Sequence, residues 1–224
     1  MSVKRLASDT VWYGLSSIVA RFLNYLLTPY LTNPNILSAA QYGEMSMIYA
    51  AIPFMSAIFT YGFEITYFRY SNKDQDGNVV FNTASLSIML STLLFTGILV
   101  LLNEPLAALL QVPAHPEFIT WTALIIAIDT LAVIPLAKLR HIGRPRKYAL
   151  VRIAWIVVNI ACTVFFYSFL PDIAANNPRS FIASWYDPAL GAGYVIIANI
   201  IASSVMLLLL ASEVLSVRFV GSIK

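Results

Sequence analysis

Charge is scarce in this sequence. Asp, Glu, Lys and Arg make up 11% of its 224 residues, against about 25% in an ordinary soluble protein. Cysteine is nearly missing as well: Cys162 stands alone, so neither a disulfide framework nor a cysteine metal site can form within one chain. There are two histidines, His115 and His141, and they fall in loops on opposite sides of the apolar spans defined below. A shared metal site is therefore excluded, and no imidazole sits at membrane depth for a Ser/His/Asp arrangement. The sequence has no GxxxxGK[ST] phosphate loop, no HExxH, no CxxC and no dinucleotide-binding glycine pattern. These absences leave an enzyme without support and imply no cofactor and no metal. An ATP-hydrolysing part is also lacking, so any transport would draw on an ion gradient, the membrane potential or a partner.

Apolar surface is what the chain has in excess. Hydrophobic residues make up 59% and the mean hydropathy is +0.75. A globule of this length cannot hide that much apolar surface in its own interior, so a second apolar solvent must cover it, and that solvent is a lipid bilayer. Secreted scaffolds, disordered linkers and nucleic-acid-binding domains are excluded together. The pI near 9.0 reflects only 14 basic against 11 acidic residues, an excess whose placement matters more than its size.

A bilayer core takes about 20 helical residues to cross. Six runs meet that length: Thr10–Thr32, Met45–Phe63, Val79–Asn103, Phe118–Ala137, Ile153–Pro171 and Pro188–Ser212. None alternates with the period of a membrane β-strand. The fold class expected is all-α integral membrane, a six-transmembrane-helix bundle forming one lobe over residues 1–224. Its helices should lie near 10–32, 44–70, 79–103, 118–140, 147–171 and 188–214. Lys4 and Arg5 resemble the start of a signal peptide, but the run that follows is too long, is interrupted by Arg21 and ends at no convincing cleavage site, so it reads as the first helix.

Orientation follows from the basic residues. With the N-terminus cytoplasmic, the inner flanks collect Lys4, Arg5, Arg69, Lys73, Lys138, Arg140, Arg144, Arg146, Lys147, Arg152, Arg218 and Lys224, twelve of the 14. Only Arg179 falls in an outer loop. The opposite orientation would push the cluster from Lys138 to Lys147 across the membrane. Both termini are expected inside, with the basic loop touching lipid headgroups rather than nucleic acid.

An ionisable group in the middle of a span costs about 2.5–3.5 kcal/mol on insertion scales, which makes it a functional candidate. Arg21 lies near the centre of the first run, and Ser17, Arg21, Asn24 and Thr28 share one face at helical spacing. A guanidinium there offers a fork of donors suited to phosphate or carboxylate oxygens. Asp129 should sit at nearly the same depth in the fourth run. Two readings stay open: the two residues neutralise each other as an ion pair, or Arg21 binds an anionic substrate while Asp129 takes a coupling cation or proton. Arg152, Asn159 and Thr163 form a second stripe, although Arg152 lies near enough to the inner interface to snorkel. Glu64 faces either a local pairing with Arg69 or a loop lysine, or a place at a cavity mouth. Asn199 and Ser203 are suited to hydrogen bonds between helices. Pro29, Pro53 and Pro135 should kink their spans, as fixed shape or as bending points.

Three stretches, DTVWYGLSSIVARFLNYLLTPYLT, AAQYGEMSMIYAAIPFMSAIFTYGFEITYFRYS and KLRHIGRPRKYALVRIAWIVVNI, together span much of the chain. In their order they resemble the N-terminal half of the oligosaccharide and polysaccharide flippases of the multidrug/oligosaccharidyl-lipid/polysaccharide exporter superfamily. The resemblance implies one lobe of a twelve- or fourteen-helix flippase in the bacterial cytoplasmic (inner) membrane. Such a lobe would move undecaprenyl-pyrophosphate-linked oligosaccharide by alternating access during polysaccharide, including lipopolysaccharide, assembly. It implies that Arg21 engages the pyrophosphate, with Arg152 a further basic candidate and Ser17, Asn24 and Asn159 polar neighbours. Asp129 and Glu64 would serve ion coupling or ion pairing. The partners implied are membrane lipids and a second six-helix lobe or a partner subunit, with no nucleic acid. Within the same superfamily, a multidrug or cation antiporter or a peptidoglycan-precursor flippase would share these features, and a non-transporting structural membrane partner is the reading from outside it.

Overall fold

A computed structural model describes Gly14, Ile18, Phe22, residues 25–73 and residues 77–218. Every regular element among them is helical. The first, α1, is described over residues 25–31, with Gly14, Ile18 and Phe22 also helical. Then come α2 (Ala39–Thr60), α3 (Phe63–Ser71), α4 (Gly77–Leu101), α5 (Asn103–Leu109), α6 (Glu117–His141) and α7 (Pro145–Val164). A π-helical turn, Phe165–Phe169, carries α7 into α8 (Leu170–Asn176); two 3-10 turns follow, and α9 (Gly193–Leu209) and α10 (Ala211–Val214) complete the order.

The boundaries follow from local chemistry. Helix α2 starts at a capping box in which Ser38 and Gln41 each satisfy the other's backbone N–H. It stops where Tyr61 and Gly62 both turn left-handed, with φ of 31° and 75°. Glycine enters that region freely, whereas tyrosine is uncommon there. The chain restarts as α3 at an angle of 41°, so the second expected span is a broken one. Helix α6 carries Glu117 in its first turn and Lys138, Arg140 and His141 in its last, each placed to complement the helix dipole. Gly143, at φ 67°, ends it, with the Arg144 N–H returning to the Leu139 carbonyl, and Pro145 opens α7 at a position where its missing N–H costs nothing. The sixth expected span begins later than its hydropathy suggests. Asp187 caps a 3-10 turn over Pro188–Leu190, and the left-handed Gly191 delays α9 until Gly193.

Among the described residues, α4, α6 and the continuous Pro145–Asn176 helix are long and apolar enough to cross a bilayer, and the bent α2–α3 pair makes a fourth if counted as one span. Helix α9, at 17 residues, is shorter, and most of the first expected span lies outside the described residues. Helix α6 is the central element: 56% of its most apolar window is buried, against 17% for α4. It packs on α2, α4 and α9, while α9 also packs on α7. Small residues allow this closeness, with Ala123, Ala132 and Ala137 on α6 and Ala198 and Ala202 on α9 almost fully buried. Helix α4 turns Leu90, Leu93, Leu94 and Leu101 outward, a leucine face that suits acyl chains rather than water.

The two ends of the bundle differ in charge. At one end gather α3, the last turns of α6 and α10 and the N-terminal turns of α4 and α7, tied by Glu64–Arg140, Lys147–Glu213, Lys138–Ser216 and the Arg218 N–H to Asn82. This end holds the cluster from Lys138 to Lys147. At the other, Tyr30 bonds Ser168 at 2.6 Å and Tyr167 donates to the Gly191 carbonyl at 2.7 Å.

Candidate functional site: a cavity between helices

A cavity of about 350 Å³ opens between α1, α2, α6, α7 and α9. Leu27, Thr28 and Leu31 of α1, Tyr42, Met45, Tyr49, Ile52 and Pro53 of α2, and Ile125 and Asp129 of α6 line it, with Trp155 and Asn159 of α7 and Val195 and Asn199 of α9. The wall is mostly apolar, and among the described residues Asp129 is the one charged member. Asp129 is the thirteenth of the 25 residues of α6, at the midpoint of the most buried helix.

A chain of hydrogen bonds runs along one side of the cavity. Asn199 donates through Nδ2 to the Tyr49 hydroxyl at 3.2 Å, and Tyr49 donates to the Val195 carbonyl at 3.3 Å. Ser203, one turn further along α9, has its hydroxyl 3.5 Å from Asn199 Oδ1 and accepts the Trp155 indole N–H at 3.0 Å. Three helices are thus joined by polar groups that would be costly to strand in hydrocarbon. Pro53, one turn past Tyr49, supplies no N–H to the Tyr49 carbonyl, which loses its ordinary partner within α2. Asp129 lies beside this chain, near Ser203 and under the electrostatic influence of Arg152. Its Oδ1 is buried without a hydrogen-bond partner among the described residues.

Several residues singled out from sequence meet at this cavity. Asp129 and Asn159 both line it; Asn159 is buried, as is Thr163 one turn on. Arg152 lies one turn from Trp155 on α7, its guanidinium 5.9 Å from the indole ring centre. It packs against the aromatic group that bonds Ser203 rather than pairing within 4 Å of Asp129. Thr28, the last member of the first-helix stripe, lines the cavity. Ser17, Arg21 and Asn24 lie outside the described residues. Asn199 and Ser203 make the interhelical bonds expected of them. Tyr49 and Trp155 were not legible from sequence, because aromatic side chains in apolar runs read as core; the polar tip each carries is the signal that could have flagged them.

Glu64 lies elsewhere. It pairs with Arg140 at the end of α6, not with the nearby Arg69, and the Arg140 guanidinium also lies 5.3 Å from the centre of the Phe68 ring and 5.6 Å from that of Tyr148. At the same end, Lys147 bonds the Glu213 carboxylate at 2.7 Å, and Ser212 donates to it as well. Burial pushes the Glu213 carboxyl up, but the hydrogen bonds from Lys147 and Ser212 outweigh it and hold the group below its ordinary value. Among the described residues no group of three or more His, Cys, Asp or Glu side chains is arranged to hold a metal ion.

A family model described as "Polysaccharide biosynthesis protein" matches residues 6–217 of the chain. No curated protein and no solved structure matches it.

Proposed function

Because the chain belongs to the polysaccharide biosynthesis protein family over residues 6–217, we propose that it is a membrane lobe that moves a lipid-linked oligosaccharide between leaflets. The observation that carries this reading is the cavity between α1, α2, α6, α7 and α9, whose mostly apolar wall carries Asp129, Asn159 and Asn199. A headgroup crossing the bilayer needs polar partners at the depth where lipid offers none. On this reading the lobe has six spans, with α1, the α2–α3 pair, α4, α6, α7–α8 and α9 each crossing once. The basic end carrying Lys138 to Lys147 faces the cytoplasm, and both termini lie on that side of a bacterial inner membrane.

The substrate class is an undecaprenyl-pyrophosphate-linked glycan, whose polyprenyl tail stays in the bilayer while the headgroup uses the cavity. Its phosphates carry negative charge, yet Asp129 is the charged residue of the described wall. Basic side chains must therefore reach the same space. Arg21 is the first candidate: Thr28 lines the cavity, and Ser17, Arg21 and Asn24 stand 11, seven and four residues before it, on one helical face. Ile18, Phe22 and Tyr25, on the adjoining face, are exposed as lipid-facing residues would be. Arg152 is the second basic candidate, with Asn159 as a neutral hydrogen-bonding partner. Asp129 then serves as counter-ion to these arginines or as a coupling site. Alternating access needs a facing wall, so the lobe works against a second six-helix lobe, in continuing chain or in a partner subunit.

The test is glycan export in cells that depend on this protein, comparing Arg21→Ala with Arg21→Lys. Loss of export by the first, with partial retention by the second, is the expected result; unimpaired export by Arg21→Ala removes the anion site. The acidic wall favours one other reading, a cation or multidrug antiporter, in which Asp129→Asn abolishes drug resistance and Arg21→Ala does not.

A further inference from the structure

We infer that the turn over residues 181–185, at the end of the bundle away from the basic cluster, is a membrane-interface anchor. It seats Phe181, Ile182 and Trp185 at the headgroup–acyl boundary of that leaflet, with Arg179 at the lipid phosphates. The inference rests on insertion of the bundle in a bilayer and goes beyond what the bundle transports.

The helices that hold this turn give its depth. At the basic end of α7, Lys147 bonds Glu213 at 2.7 Å; near the other end Phe166 stacks on Tyr194, with ring centres 5.3 Å apart. Nineteen residues separate the two ties along each segment, from Lys147 to Phe166 and from Tyr194 to Glu213. At the rise of an α-helix that is about 28 Å, against about 30 Å for the hydrocarbon core. One tie is a pair of charges and belongs at one face of the bilayer, so the other lies at the opposite face. The turn hangs from that second tie. The Tyr194 hydroxyl donates to the Trp185 carbonyl at 3.0 Å and accepts the Asp187 N–H at 2.6 Å.

At that level the turn shows apolar side chains outward. Phe181 is 76% exposed and Trp185 53%, Ile182 is exposed between them, and the two rings meet edge to face at 5.4 Å. Leu150 and Val157 of α7 and Phe169 of the π-helical turn expose apolar side chains up to the same height, so the lipid-facing surface continues to this point. The backbone beneath is closed upon itself. The N–H groups of Trp185 and Tyr186 return to the Ile182 and Ala183 carbonyls at 3.1 Å each. Ser180 Oγ accepts the Ala183 N–H, and the Ser184 hydroxyl donates to the Phe181 carbonyl at 2.6 Å. Water can satisfy an open loop, whereas a segment entering the acyl boundary must satisfy itself. Tryptophan suits that boundary, and the aliphatic Ile182 suits acyl chains while offering nothing to a sugar hydroxyl. Arg179, exposed two residues before Phe181, has a stem that can lie on apolar surface while its guanidinium meets phosphate.

The experiment places the full chain in nanodiscs whose phosphatidylcholine carries a nitroxide at the headgroup, high on the acyl chain or near its end, and reads tryptophan quenching. The share due to Trp185 is the difference between the parent and Trp185→Phe. The headgroup and upper-chain labels should quench that share about twofold or more strongly than the chain-end label, as fits a side chain about 5–10 Å into the boundary. Soluble acrylamide should quench it weakly. If Trp185→Phe fails to assemble, Phe181→Cys in a Cys162→Ser background, spin-labelled at the new position, carries the test: lipid-dissolved oxygen should relax the label more than a water-soluble nickel chelate does. Quenching by acrylamide with none from the lipid labels would overturn the inference and leave the aromatic pair facing water, where a sugar could stack on it. Quenching by neither would overturn it in favour of a covered protein interface, and strongest quenching by the chain-end label would place the turn too deep. No glycan is present in these measurements, so failure here leaves the Arg21 reading standing, and unimpaired export by Arg21→Ala leaves this one.

Discussion

Replacing Ser203 with alanine deletes one hydroxyl from a fully buried position and leaves the Trp155 indole N–H, now bonded to it at 3.0 Å, without its partner. In a water-soluble core, a stranded buried donor costs about 1–3 kcal/mol. Membrane proteins pay less, because the unfolded chain in lipid also finds partners; interhelical hydrogen bonds there average about 0.6 and reach about 1.7 kcal/mol. Ser203 also touches Asn199 and lies beside Asp129, which places the expected loss toward the upper part of that range, about 1–2 kcal/mol. Trp155→Phe removes the donor itself along with some ring area. In that background Ser203→Ala should cost less than about 0.5 kcal/mol, since no indole N–H is left to strand. Reversible unfolding of the four proteins in mixed micelles, followed by far-ultraviolet circular dichroism so that tryptophan loss does not bias the signal, closes the double-mutant cycle. A coupling of about 1 kcal/mol is expected. Additive losses, within about 0.3 kcal/mol, would refute the claim that this bond holds α7 to α9 at the cavity wall.

Other consequences follow from the same structure. Glu213 is held below its ordinary carboxylate range, so its pairing with Lys147 contributes stability above the unfolded-state value of about 4.3 and loses it as pH falls through the lower folded value; thermal melts between pH 7 and pH 3 should show an acid-side decline that Glu213→Gln flattens. Exchanging the charges of Glu64 and Arg140 in one protein should restore the stability that Glu64→Arg alone removes, whereas pairing Glu64→Arg with Arg69→Glu should not, because Glu64 contacts Arg140. A Cβ at Gly193 would lie 2.8 Å from Phe118 Cε1 and 2.8 Å from Leu190 Cγ, so Gly193→Val should destabilise by about 1–3 kcal/mol through overpacking, measured as a fall in melting temperature against a Gly97→Val control, where nothing crowds the added atom.

Hydropathy made much of the architecture legible. Helices α4 and α6 fall within two residues of the expected helices, and the continuous Pro145–Asn176 helix covers the fifth, because a run of 20 or more apolar residues leaves the chain little choice but helix in a bilayer. The break at Tyr61–Gly62 escaped for the opposite reason: a left-handed pair changes direction without changing average hydropathy. The late start of α9 has the same origin, since Pro188 and Gly191 act through backbone geometry inside a segment that is apolar by composition. Asp129 was legible as a lone charge in an apolar run, and Asn159 followed from helical spacing. Tyr49 and Trp155 were not, because their polar tips count for little in any hydrophobicity average. The partner of Glu64 was beyond local reading: Arg69 is close in sequence, but packing of α3 against α6 supplies Arg140 instead.

On the proposed reading an anionic lipid-linked glycan passes through the cavity and is held there by Arg21. Glycan export in cells dependent on the protein, measured for the parent, Arg21→Ala and Arg21→Lys at matched membrane abundance, tests it most directly. Arg21→Ala should abolish export, with partial activity in Arg21→Lys because a point charge replaces a two-pronged donor. Export by Arg21→Ala at the parent's rate would contradict it.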